Sequence, residues 1–212
     1  MDGLIFDMDG VLVDVRKSYR ETIRQTVSYF LNREVSVSEV NKMKSRVGMN
    51  NDWDTTYAII GDKRIPFGIV KEYFQKLYLG YQNNKGLIEN EKLLISKSQL
   101  IRLKTLYKKL GIATGRPKAE ANLVIRNNQL DGIFDCIIAL EDVQEGKPSP
   151  ESINKVISCL NLKNTIYIGD SPNDVLAANA AQIPSIYIGK ENIGTLRFGS
   201  TLSVISFLNE KN

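Results

Sequence analysis

Between residues 96 and 188 the chain alternates helix-period segments with short apolar runs, a rhythm that few folds accommodate. Leu100, Leu103, Leu106 and Leu110 recur at helical spacing and lead into Gly111-Ile112-Ala113. Pro117 opens a helix carrying Ala121, Val124 and Ile125, and a strand is predicted over 134–140. Ser149 as N-cap and Pro150 as first helical residue start a helix that reaches residue 160, ahead of a strand at 165–168. An alanine-rich helix to Ala181, a strand at 184–188 and a weakly helical tail over 203–209 complete the series. Short strands that are apolar on both faces and separated by helices build a parallel sheet with helices on each side. Leu4-Ile5-Phe6 is another such run. The fold class read from this pattern is α/β.

Ligands of parallel sheets gather beyond the carboxyl ends of the strands, and here those ends carry the chemistry. The first run stops at Asp7-Met8-Asp9-Gly10, the next at Thr114-Gly115-Arg116, and Gly146-Lys147-Pro148 follows the strand predicted over 134–140. The run at 165–168 stops at Gly169-Asp170-Ser171-Pro172-Asn173-Asp174. Asp7 and Asp9 straddle one residue, so both can be aimed at one small volume while Gly10 turns the backbone away. Each motif has a plainer reading. Asp9-Gly10 suits a hairpin turn, Thr114 or Asp174 could simply cap a helix, Arg116 reads as a salt-bridging surface residue, and Gly-Lys-Pro is a common turn.

Composition narrows the chemistry further. Histidine is absent, which removes histidine-based nucleophilic triads and histidine-ligated metals. Cys136 and Cys159 lack CxxC spacing, and Asp142 and Thr165, six places on, replace the arginine of a cysteine-phosphatase loop. Neither a disulfide nor a zinc site is expected from them. Acid–base work then falls to carboxylates, lysines or tyrosines. A cluster of carboxylates without nitrogen or sulfur ligands is a hard oxygen site that favours Mg²⁺. Asp7 and Asp170 are the expected direct ligands, with the Asp9 carbonyl as a third and Asp174 behind them. Lys147 and the N–H groups around Thr114 and Gly115 would offset the charge of a phosphoryl group. Asp7 would then be the nucleophile, and Asp9 the acid that protonates the leaving oxygen and later the base that activates water. The net charge of +4 comes from Lys and Arg spread along the chain, so a solvated surface is expected and a nucleic-acid footprint is not. Residues 1–14 carry acids within the apolar stretch and no run reaches membrane-spanning length, so neither a leader nor a span is expected, and the location read from this is cytoplasmic.

Residues 15–84 read differently. Tyr19, Ile23, Val27 and Phe30 mark one amphipathic helix, Ser36-Val37-Ser38-Glu39 is a capping box for a second, and Tyr57, Ile59 and Ile60 stop a third at Gly61. Pro66 opens a fourth that closes at Gly80. The expected organisation is an α/β domain of residues 1–14 and 85–212 with a helical domain, 15–84, inserted. Trp53 reads as core. Alternatively the loop over 48–54 faces the site, with Met49, Asn50, Asn51 and Trp53 selecting the leaving group and Arg116 touching substrate.

Taken together, the four strand-end motifs resemble those of the haloacid dehalogenase superfamily, in order and at usual spacing, over essentially the whole chain. The helical insert resembles the cap of its phosphoglycolate-phosphatase-like branch. The resemblance implies a Rossmann-like sheet of order 5-4-1-2-3, Asp7 as nucleophile, Asp9 as acid/base, Thr114 and Lys147 on the phosphate and Asp170 on Mg²⁺. True dehalogenases of the superfamily lack an acid at the position of Asp9, so its presence points to phosphate monoesters. The expectation is a Mg²⁺-dependent phosphatase of a small phosphorylated metabolite, working through a phosphoaspartyl intermediate as monomer or homodimer, without nucleic-acid or membrane partners. A phosphosugar mutase and a non-catalytic regulatory module are the alternatives.

Overall fold

The computed structural model describes residues 1–46, 49 and 51–210. Strand β1 (Gly3–Phe6) is followed by helices α1 (Tyr19–Leu31), α2 (Val37–Lys44), α3 (Asp52–Ile60) and α4 (Phe67–Leu79). Then come α5 (Lys97–Tyr107), β2 (Lys109–Ala113), α6 (Lys118–Asn127), β3 (Cys136–Ile138) and α7 (Glu151–Leu160). The chain closes with β4 (Thr165–Gly169), α8 (Pro172–Ala180), β5 (Ser185–Ile188), β6 (Leu196–Phe198) and α9 (Thr201–Glu210).

The six strands form one parallel sheet in the order β6-β5-β4-β1-β2-β3. The order 5-4-1-2-3 is therefore present, with β6 added beside β5. Little in the sequence announces β6: it is three residues long and mostly exposed, too short for its Leu-Arg-Phe alternation to stand out. The strand predicted over 134–140 shortens to Cys136–Ile138, because Leu140–Asp142 winds into a 3₁₀ turn whose Asp142 carboxylate accepts from Ala139 N at 3.0 Å.

β1 is buried along its whole length, as a central strand must be. On one face Ile5, Ala113 and Tyr167 pack with Ile153, Val156, Leu160, Ala177 and Ala178 of α7 and α8. Leu4 and Phe6 alternate to the other face, where α5 and α9 are tied by Tyr107 Oη donating to Leu208 O at 2.8 Å. The register sets Phe6 opposite Ile112 on one side and Ile168 on the other. Asp7 and Thr114 consequently leave the sheet at the same edge, as does Asp170. Asp7 N donates to Ile168 O at 2.8 Å and Thr114 N to Ile138 O at 3.0 Å.

The chain divides into two compact units, Met1–Val13 with Leu93–Asn212, and Asp14–Lys92. The second junction falls later than residue 84 for a clear reason. Glu91 accepts from Ser18 Oγ at 2.7 Å and from Tyr78 Oη at 2.9 Å, and Ile88 is buried, so the connector is sewn to α1 and α4. Inside the helical unit Tyr19 stacks on Tyr78 with ring centroids 4.2 Å apart. Ser36 and Glu39 complete the capping box of α2, and Gly61 ends α3 at φ 67°. Among the described residues no helix is long and apolar enough to cross a membrane.

One expectation is corrected. Cys136 and Cys159 are joined as a disulfide, their Cα atoms 6.5 Å apart. Spacing rules miss it because it is the packing of α7 against β3 that brings the two residues together. Thiol titration of the denatured protein should find no reactive cysteine before reduction and both after it. Reduction should lower stability by about 3 kcal/mol, the loop-closure contribution of a link of this span.

Candidate active site

Asp7 sits one residue past the end of β1 and is buried, as is Lys147, which reaches it across the edge of the sheet. Lys147 Nζ lies 3.0 Å from Asp7 Oδ1 and 2.6 Å from Asp174 Oδ1, and it donates to Tyr167 Oη at 2.9 Å. One cation thus joins acids from the first and fourth motifs. Its pKa is raised: burial opposes the charge, but Asp174 and Asp7 outweigh that cost.

Asp174 is saturated. Its Oδ1 accepts from Lys147 and from Tyr167 Oη at 2.9 Å, while its Oδ2 accepts from Ser171 N at 3.0 Å and Ser171 Oγ at 2.6 Å. Burial works against its charge, yet Lys147 and these hydrogen bonds hold its pKa below the usual carboxylate range. Ser171 and Asp174 are also the two ends of the capping box that starts α8. The helix-cap reading therefore holds, and the same carboxylate also pairs with Lys147. A Cβ at Gly169 would stand 2.3 Å from the Cβ of Asp174, so only glycine lets this acid fold back under the strand end.

Asp170 meets the first motif directly. A Cβ at Gly10 would lie 1.9 Å from Asp170 Oδ2, and Gly10 has φ +73°. The turn after Asp9 is therefore shaped around the Asp170 carboxylate. Carboxylate oxygens of Asp7, Asp170 and Asp174 all lie within 4.8 Å of one another. Burial pushes the Asp7 carboxyl well above its ordinary value; Lys147 pulls it back, and the charges of Asp174, Asp9 and Asp170 raise it again. This donor set fits a hard divalent cation, since oxygens converge and Lys147 leaves negative charge uncompensated. Because Asp174 is already filled by its own partners, Asp7 and Asp170 are the side chains suited to hold such an ion.

Asp9 does not join that cluster. Its Oδ1 accepts from Arg116 Nε at 2.9 Å and from Arg116 Nη2. Arg116 is not the surface residue its charge suggests: its side chain has no exposed area. Its backbone is fixed too, N donating to Thr114 Oγ1 at 3.1 Å and O accepting from Leu140 N at 3.0 Å. Thr114 is buried and does not cap the next helix, whose N-cap is Pro117. Gly115 is exposed, with open space around its Cα.

The remaining candidates belong to the helical unit. Asn51 accepts from Trp53 N at 2.9 Å and Asp54 N at 3.2 Å, which makes it the N-cap of α3. Trp53 is half-buried, with Lys71 Nζ 3.5 Å from its ring centroid. Met49 O accepts from Thr55 Oγ1 at 3.3 Å. Asn50 lies outside the described residues. Sequence reading missed Tyr167, and the available signal was a lone tyrosine in an otherwise aliphatic buried strand.

A parallel sheet with acids, a buried lysine and a Thr-Gly turn gathered at its carboxyl edge defines a class of phosphoryl-handling α/β enzymes. Residues 4–188 match the family described as haloacid dehalogenase-like hydrolase. The chain belongs to that family. It is 26% identical over 189 residues to a phosphoglycolate phosphatase of Colwellia psychrerythraea, covering 86% of this chain and 82% of that one. It is 31% identical over 190 residues to an imidazoleglycerol-phosphate dehydratase of Phytophthora nicotianae. That match covers 85% of this chain but spans only 42% of the longer protein. Its fold is similar to that of CbbY from Rhodobacter sphaeroides in complex with phosphate, with a TM-score of 0.79 at 16% identity and 96% of each chain covered.

The raised pKa of Asp7 has a consequence for stability. The folded chain binds this proton more tightly than the unfolded one, so stability falls as pH rises from the ordinary value of 3.8 through the raised one. In metal-free protein Asp7→Asn should therefore raise the melting temperature near neutral pH by about 3 °C, roughly 1 kcal/mol at this size. The gain should shrink as pH approaches the ordinary carboxylate range, as scanning calorimetry across pH would check.

Proposed function

We propose that the protein is a Mg²⁺-dependent phosphatase of small phosphorylated metabolites that works through an aspartyl-phosphate on Asp7. The observation that carries this reading is the convergence of Asp7 and Asp170 around Gly10, with Lys147 on Asp7. Mg²⁺ on the Asp7 and Asp170 carboxylates and the Asp9 carbonyl would supply the positive charge that lets a carboxylate approach a phosphate dianion.

The chain's own residues do the rest. An oxygen of Asp7 attacks phosphorus, and the bond from phosphorus to the leaving oxygen breaks as Asp9 gives that oxygen its proton. Lys147 and the amides around Thr114 and Gly115 bear the charge of the transferred group. Water then attacks phosphorus, Asp9 takes its proton, and the phosphorus–Asp7 bond breaks, so that ester and water become alcohol and inorganic phosphate. Lys147 also eases the ionisation of Asp7 against the burial and neighbouring acids that raise its pKa, and a nucleophile must be ionised. In this reading the helical unit, Asp14–Lys92, serves as the cap that the resemblance implies and supplies part of the choice of leaving group.

The test is a panel of phosphate monoesters and pyrophosphate with Mg²⁺ and no bisphosphate primer. Release of inorganic phosphate is expected from at least one compound, and its loss on chelation. Asp7→Asn should reduce turnover by at least ~10³-fold and Asp9→Asn by ~10²-fold. Turnover of Asp7→Asn at the wild-type rate would overturn the reading.

A further inference from the structure

Among the described residues Arg116 is the largest fully buried side chain. A buried guanidinium carries a large desolvation cost that only close pairing offsets. Its pairing is specific. Nε and Nη2 both donate to one oxygen of Asp9, Oδ1, while the Asp9 side chain keeps 29% of its surface exposed and Arg116 keeps none. The arginine therefore grips Asp9 from the protein side. Asp9 Oδ2 is left as the oxygen that can meet a leaving group. The grip also accounts for the absence of the Asp9 carboxylate from the cluster formed by Asp7, Asp170 and Asp174, although only one residue separates it from Asp7.

We infer that Arg116 is a positioning residue: it fixes Asp9 so that Oδ2 delivers the proton to the leaving oxygen, and it contacts neither substrate nor metal. This rests on the reading of Asp9 as the acid and base. Thr114 and Leu140 support the assignment by clamping the Arg116 backbone on both sides, so the guanidinium has a fixed origin. A planar donor fork whose side chain has no exposed area is unsuited to bind a diffusing anion but well suited to lock one carboxylate.

Leaving-group chemistry tests this. An alkyl phosphate expels a strongly basic alkoxide and needs the proton from Asp9, whereas p-nitrophenyl phosphate expels a weakly basic phenolate and does not. The comparison uses kcat/KM, which reports phosphoryl transfer to Asp7 before the shared hydrolysis step, for an alkyl ester found active in the panel and for p-nitrophenyl phosphate. Arg116→Gln should lower kcat/KM on the alkyl ester by ~100-fold, through kcat, and on p-nitrophenyl phosphate by less than ~3-fold, the scale expected when a catalytic group is misplaced by about 1 Å. Arg116→Lys, which keeps the charge and loses the fork, should show the same pattern and guards against a fold defect in the first variant. Combined with Asp9→Asn, Arg116→Gln should add no further loss. Equal losses on both esters, or a raised KM with kcat unchanged, would overturn the inference while leaving the phosphatase reading intact. If Asp9→Asn itself shows no dependence on the leaving group, the role of Asp9 falls and the inference falls with it.

Discussion

Everything at the carboxyl edge of the sheet depends on how a few buried cations are shared among more acids than they can neutralise. Lys147 is the centre of that arrangement, because its ammonium touches Asp7, Asp174 and the Tyr167 hydroxyl at once. The nearby charges divide into two outcomes. Asp174, hydrogen-bonded at both oxygens, is held ionised, and Asp7, with a single close cation and three acids around it, is pushed towards its neutral form. A carboxylate that the bare protein disfavours as an anion ionises more readily once a positive charge binds beside it.

The glycines at the site follow from the same crowding. Four polar groups are brought within a few ångströms from three strand ends, and backbone has to be cleared to make room. Gly10 clears it for Asp170 and Gly169 for Asp174. Neither glycine is explained by chain reversal alone, since the atoms that would collide with a side chain are carboxylates in both cases.

Much of this was legible in the sequence, for identifiable reasons. Strand type and the strand-end clustering of Asp7, Thr114, Lys147 and Asp170 follow from hydrophobic period and parallel topology, which are local signals compounded by a general rule, whereas the sheet order around β1 came from the family resemblance. What escaped was whatever depended on a partner distant in sequence. Arg116 carries the residue type of an exposed salt bridge, and only the 107-residue separation to Asp9 closed by the fold turns it into a buried clamp. Cys136 and Cys159 were unreadable as a pair for the same reason. Asn51, by contrast, finds its partners close in sequence. Its place in a polar loop suggested substrate recognition, while a short-range rule, a side-chain oxygen capping the next helix, already accounts for it.

The separation of Asp7 from Asp9 is the point at which strand geometry becomes mechanism. In an extended strand residues two apart share a face, and two carboxylates so placed would compete for one cation and neither would be free to carry a proton. The chain avoids this by ending β1 at Phe6 and turning at Gly10, so that Asp7 remains at the sheet edge with Lys147 while Asp9 rotates onto Arg116. Each acid acquires its own cation: a lysine, whose compact ammonium serves several acids at once, for Asp7, and an arginine, whose planar fork fixes orientation, for Asp9. The difference in surroundings between two identical side chains is thereby set by the identity of the base each one meets.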